Sequence, residues 1–124
     1  MINELRLGNF VWGVSDRREV VYAIEEHTVT VGHPFKAYVG NTNTRCYADE
    51  IKPIELTPEL LGKCGFTERD EIWDHNLFDM WLYPTRRGWF ISPHMPDGGV
   101  PIKFLHQLQN LYFCLTGKEL IVEL

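Results

Sequence analysis

Residues 104–117, FLHQLQNLYFCLTG, form the strongest helix pattern in the chain and contain no Asp, Glu, Lys or Arg, although Lys103 and Lys118 flank them. Stepped at about 100° per residue, Phe104, Leu105, Leu108, Leu111, Tyr112 and Leu115 fall within an arc of about 120°, the width of a core-facing stripe. His106, Gln109 and Asn110 fall on the opposite side with Phe113 among them, and Gln107 and Cys114 lie between the two faces. A helix resting on a sheet gives its outer face to Lys and Glu, because charge is cheap in water and costly under cover. An outer face of amides, one histidine and one phenylalanine therefore predicts that this face is covered. Two coverings satisfy the pattern. Other parts of the same chain can lie over it with their backbone bonded to the amides. Alternatively His106, Gln109, Asn110 and Phe113 bind a protein partner, a second copy of the chain included.

Around this helix the sequence reads as strands, which predicts an α+β fold with a mainly antiparallel sheet in a single domain, 1–124. LGNFVWGV at 7–14 is a Gly-Asn turn entering a strand. REVVYAIEE at 18–26 puts Val20, Tyr22 and Ile24 on one face of a second strand, and HTVTV at 27–31 alternates at period two. FKAYV at 35–39 and the turn-rich GNTNT at 40–44 follow Pro34. Short β-rich runs with tight turns match a curled sheet or a small SH3-like barrel for this N-terminal part. LTPELLGKCGF at 56–66 predicts a short central helix, with Thr57 as N-cap, Pro58 at the first helical position and Gly65 as a left-handed stop. The region 71–103 returns to strands, with LFDMWLY and WFIS joined by the PTRRG turn. Gly117 closes the C-terminal helix, and the alternation in KELIVEL predicts a terminal strand after it.

The segment HQLQNLYFCLTGKEL resembles a closing motif, HQLQNLYFALTGEEL, of small uncharacterised proteins of gut-bacterial prophages and mobile elements. Leu5-Arg6-Leu7-Gly8-Asn9-Phe10-Val11 matches their opening LRxGNxV. Pro53-Ile54-Glu55-Leu56-Thr57, with Leu61 and Gly65-Phe66 in register, matches their central PIxLTxxxLxxxGF. The resemblance implies a bacterial or phage origin and carries no activity with it. Cys114 stands where the motif has alanine, a small-for-small change.

No residue pattern names a reaction. Cys46, Cys64 and Cys114 are odd in number with no C-x-x-C pair, which predicts free thiols in a reducing cytoplasm rather than a disulfide framework or zinc cluster. His27, His33, His75, His94 and His106 show no metal-ligand spacing, so neither metal nor cofactor is expected. Ser15, Ser92 and Cys64 lack a nucleophile signature, and no phosphate-cradling glycine motif occurs, so the reading is non-enzymatic. The start of the chain lacks the pattern of a signal peptide, and no apolar run is long enough to span a membrane.

What remains is binding. The leading expectation is an accessory or interaction module that self-associates through the C-terminal helix. The alternative is a small nucleic-acid-binding domain using the hairpin WLYPTRRGWF, where Trp81, Tyr83 and Trp89 stand beside Arg86 and Arg87 as a stacking and phosphate-neutralising set. The net charge of −5 opposes a broad phosphate-binding surface, as does the run 68–79, where five acids (Glu68, Asp70, Glu71, Asp74 and Asp79) accompany Arg69 alone.

Overall fold

A computed structural model of the chain describes residues 4–13, 17–32, 43–75, 81–92 and 101–123. They confirm the α+β class: two four-stranded antiparallel sheets, one short helix and one longer C-terminal helix. The chain divides into two compact units, Met1–Ile54 with Phe104–Asn110 and Glu55–Lys103 with Leu111–Leu124, so the C-terminal helix is shared between them after Asn110.

In the first unit β1 (Phe10–Trp12), β2 (Arg18–Ile24), β3 (Thr28–Gly32) and β4 (Thr44–Tyr47) follow one another as a meander in the order β1-β2-β3-β4. The period-two pattern places Val29 and Val31 in the core with Leu5, Val11, Val21, Cys46 and Ile51. A bulge between Val21 and Ala23 shifts the β2–β3 register and curls the ribbon. The expected barrel is not closed: among the described residues β1 pairs with β2 and makes one isolated bridge, Trp12 to Lys52, but does not pair with β4. FKAYV at 35–39 lies outside the described residues, while Thr44 at the end of GNTNT opens β4.

The second unit opens with α1 (Pro58–Lys63), built by the local signals of its sequence. Thr57 Oγ1 accepts the Leu60 N–H at 3.2 Å, Pro58 needs no partner at the first turn, and Gly65 stops the helix at φ +89°. Phe66, buried just after the stop, starts a sheet of β5 (Phe66–Arg69), β6 (Ile72–His75), β7 (Trp81–Thr85) and β8 (Gly88–Ser92) in that order. Both hairpin turns are two residues long, Asp70–Glu71 and Arg86–Arg87. Asp70 and Glu71 sit at φ +53° and +66°, the left-handed pair that a type I′ turn requires. Pro84 is tolerated in β7 because it lies beyond the last residue that β6 pairs, where no ladder bond is lost. At Gly88, φ +129°, a Cβ would come within 2.6 Å of the Ile102 carbonyl oxygen, so glycine allows the reciprocal Trp89–Ile102 bonds of 2.7 and 3.0 Å.

Helix α2 spans Leu105–Thr116, and Gly117 ends it at φ +72° with its N–H on the Phe113 carbonyl. The expected terminal strand is not found in residues 118–123. Leu120 is buried and Ile121 exposed, so the alternation is real, but the tail bonds a helix rather than a sheet edge. The Glu123 N–H reaches the carbonyl of Lys63, one of the orphan acceptors at the end of α1. No helix among the described residues is long and apolar enough to cross a membrane.

Replacing Asp70-Glu71 by Asn-Gly is expected to raise stability by about 1 kcal/mol, because both positions then favour a left-handed backbone. Thr57→Ala is expected to cost about 1 kcal/mol through the lost cap. Urea midpoints of the two variants against the parent chain check both signs.

Candidate functional site

Each strand of the β5–β8 sheet points alternate residues to opposite sides, and its registers fix which share a side. Phe66 faces His75, Trp73 faces Leu82, Leu82 faces Ile91 and Pro84 faces Trp89, giving one side on which Phe66, His75, Leu82, Trp89 and Ile91 are buried, Trp73 is half-buried and Pro84 is exposed. Thr67 faces Asp74, Asp74 faces Trp81 and Tyr83 faces Phe90 on the other side, which is open. There Ile72, Trp81 and Tyr83 are 39%, 41% and 40% exposed. The Tyr83 ring stacks on Phe90 with centroids 5.7 Å apart and an interplanar angle of 16°. An ion pair lies on this face, Arg69 Nη2 to Asp74 Oδ2 at 3.4 Å.

The strand directions place both two-residue turns at one end of this sheet, since β6 runs opposite to β5 and to β7. An acidic turn, Asp70–Glu71, thus stands at the same end as a basic turn, Arg86–Arg87. Among the described residues none of these four side chains makes an ion pair. Beside the basic turn is a cleft of about 400 Å³ that also reaches Glu55, Leu56, Trp89 and Lys103.

The sequence-derived hairpin set is therefore split. Trp81 and Tyr83 lie on the open side with Arg86 and Arg87 at its end, whereas Trp89 belongs to the buried side, edge-on to Trp73 with centroids 6.4 Å apart. Ile72, absent from that set, completes the apolar patch.

The amide face of α2 has the intramolecular covering. Gln109 Oε1 accepts the Phe10 N–H at 2.8 Å and its Nε2 donates to the Gly8 carbonyl at 3.2 Å. Asn110 Oδ1 accepts from Asn9 Nδ2 at 2.8 Å and Arg6 Nε at 3.2 Å, while its Nδ2 donates to the Glu4 carbonyl at 2.6 Å. Asn9 is itself fully buried and takes the Arg6 N–H on its Oδ1 at 2.7 Å. Residues 4–10 are thus laid along Gln109 and Asn110 by bonds that use both ends of each amide. Phe113 is 38% exposed.

His106 is different. It is fully buried, neither ring nitrogen has a hydrogen-bond partner, and it stacks on Phe104 at 5.9 Å. The Glu4 carboxylate lies 3.7 Å from its Nε2. Burial lowers the affinity of His106 for a proton and Glu4 opposes that, the net direction being down. Glu4 is also held below its ordinary value, chiefly by the hydrogen bond from Gln107. His75 is lowered by burial as well, between the rings of Phe66 and Tyr112 at 5.0 and 5.2 Å.

Neither buried cysteine offers an activated thiolate. Burial pushes the Cys64 thiol up to about 12, and Cys46 is raised for the same reason. Among the described residues no group of three or more His, Cys, Asp or Glu is placed to hold a metal ion. His27 is exposed, and His33 and His94 lie outside the described residues.

Comparison with protein-family models, with curated proteins and with solved structures found no match.

Because the unfolded chain protonates its histidines near 6.5 while buried His106 and His75 resist the proton, stability is expected to fall as pH drops below about 6.5. Glu4 adds to this at lower pH, since its contribution is present above 4.5 and is lost as pH falls through its folded value. His106→Phe is expected to make the decline between pH 7 and 5.5 shallower while costing little at neutral pH, as no hydrogen bond is lost. Urea midpoints across that range, parent against variant, measure it.

Proposed function

We propose that the protein is a non-enzymatic interaction module whose binding surface is the open side of the β5–β8 sheet, and that its ligand is protein. The observation that carries this reading is the gathering of Ile72, Trp81 and Tyr83 on one solvent-facing side of a sheet whose other side is core. Exposed apolar residues scattered singly need no explanation, but three neighbours on one flat face form a patch. Aromatic residues and arginine around such a patch are the composition enriched at protein interfaces. Tyr83 is already braced against Phe90, so little side-chain freedom is left to lose on binding.

Nucleic acid fits this surface less well. Stacking on Trp81 and Tyr83 is available, but Asp74 is the direct cross-strand neighbour of Trp81, and Arg69 on the same face is paired to it. The basic turn has an acidic turn beside it. A strand of phosphates laid here meets as many carboxylates as guanidinium groups.

The double variant Trp81→Ser/Tyr83→Ser separates these readings, since both side chains are surface-exposed and their removal leaves the core intact. Fluorescence anisotropy of labelled single-stranded DNA and RNA at low salt is expected to stay flat with the parent chain. Protein association, read by chemical cross-linking at high concentration or by capture on the immobilised chain, is expected to be present with the parent and at least tenfold weaker with the double variant. Oligonucleotide binding that the double variant abolishes overturns the proposal, as does protein association that it leaves unchanged.

A further inference from the structure

We propose that the occupant of this face is a second copy of the same chain, packed sheet to sheet about a two-fold axis parallel to the strands, with the acidic turn of each copy over the basic turn of the other. The inference rests on the reading of the open β5–β8 side as a protein-binding surface and names its partner.

The geometry follows from the register. The sheet order is β5-β6-β7-β8, and the two turns close its two halves at the same end. A two-fold axis running along the strands between β6 and β7 keeps that end in common and exchanges the halves. The β5–β6 hairpin of one copy then lies over the β7–β8 hairpin of the other. Asp70 and Glu71 meet the partner's Arg86 and Arg87, and by symmetry the pairing occurs twice. In the same superposition Ile72 of β6 comes over β7 of the partner, so the apolar patch is covered by its own equivalent. A two-fold axis across the strands carries the turns of the two copies to opposite ends, and one along the strands but centred on either hairpin sets like charges together.

The charges support this arrangement against a solitary one. Among the described residues none of the four turn side chains is ion-paired within the chain. Each turn carries two like charges at its tip, a repulsion that an opposite pair relieves. Like surfaces of one sign cannot pair with themselves, but a surface that carries both signs symmetrically about an axis can.

The size of the face sets the strength. Four strands about 4.8 Å apart and about five residues long at 3.4 Å per residue project on the order of 300 Å². A stable interface buries about 800 Å² per partner. The dimer is therefore weak, and its charged rim makes it sensitive to salt.

Sedimentation equilibrium of the full chain tests this with two charge variants. Arg86→Glu/Arg87→Glu makes both turns acidic, and Asp70→Lys/Glu71→Lys makes both basic. The parent chain is expected to move from monomer towards dimer as its concentration is raised to about 1 mM, a weak affinity on the usual scale, and to shift back in high salt. Each variant alone is expected to remain monomeric at that concentration, and an equimolar mixture of the two to recover the dimer. Far-UV circular dichroism checks that each is folded; if the Lys-Lys turn does not form, Asp70→Asn/Glu71→Lys replaces it. A parent chain that is monomeric at about 1 mM overturns the inference, as does a variant that self-associates like the parent. If the chain is monomeric but Trp81 and Tyr83 still bind a different protein, the inference fails and the interaction module stands. If the face binds no protein, both fail.

Discussion

A sheet with one side in the core has no choice about what its other side displays. In β5–β8 the burial of Phe66, His75, Leu82, Trp89 and Ile91 fixes the parity of every strand. A slip of one residue would turn Leu82 outward and Trp81 inward, exchanging core and surface along the whole strand. The register is pinned at its ends as well. Two-residue turns leave no slack, and the close approach of Gly88 to the Ile102 carbonyl admits no side chain. Ile72, Trp81 and Tyr83 are thus held outward by the side that packs. The same antiparallel order brings an acidic and a basic turn to one end. Patch and charge pattern are both consequences of how the buried side is registered.

How much of this the sequence discloses depends on how local each signal is. The α1 helix was legible because Thr57, Pro58 and Gly65 act within a turn of one another. The two-faced character of α2 was legible for the same reason, since a helix wheel needs only consecutive residues. The choice between coverings was not, because Arg6, Asn9 and Phe10 approach Gln109 and Asn110 from about a hundred positions away, at separations of 99 to 104 residues. Polar residues that bond backbone at such distance leave no periodic trace. KELIVEL shows the opposite failure. Its alternation correctly marks Leu120 as inward and Ile121 as outward, yet alternation identifies a face and not a neighbour. The neighbour turned out to be the end of a helix. Barrel closure was equally invisible, since it depends on whether β1 and β4 meet, and nothing in either strand encodes the other.

Trp89 shows how parity hides in a turn. Placed beside Trp81 and Tyr83 by sequence, it looks like a third stacking ring. Whether it shares their side depends on the number of residues in the turn. With Arg86–Arg87 as the whole loop, Trp89 pairs with Pro84 and inherits the buried side. One more residue in the loop would reverse that. The hairpin therefore shows two rings, Trp81 and a braced Tyr83, on its open side, and gives the third, Trp89, to the core.

Charge decides what such a surface selects. A polyanion is attracted by the sum of nearby charges within a Debye length of about 8 Å, and that sum is close to zero where two carboxylates adjoin two guanidinium groups. Another protein surface responds to the arrangement rather than to the sum. Mixed signs add little net attraction at long range, but at contact they penalise every orientation that sets like against like. An apolar patch alone would accept any apolar partner in many rotations. With opposite charges fixed at the two corners of one end, a single rotation about the strand direction satisfies both. In the proposed dimer the turns therefore supply orientation, and Ile72, Trp81 and Tyr83 supply the adhesion that orientation makes specific.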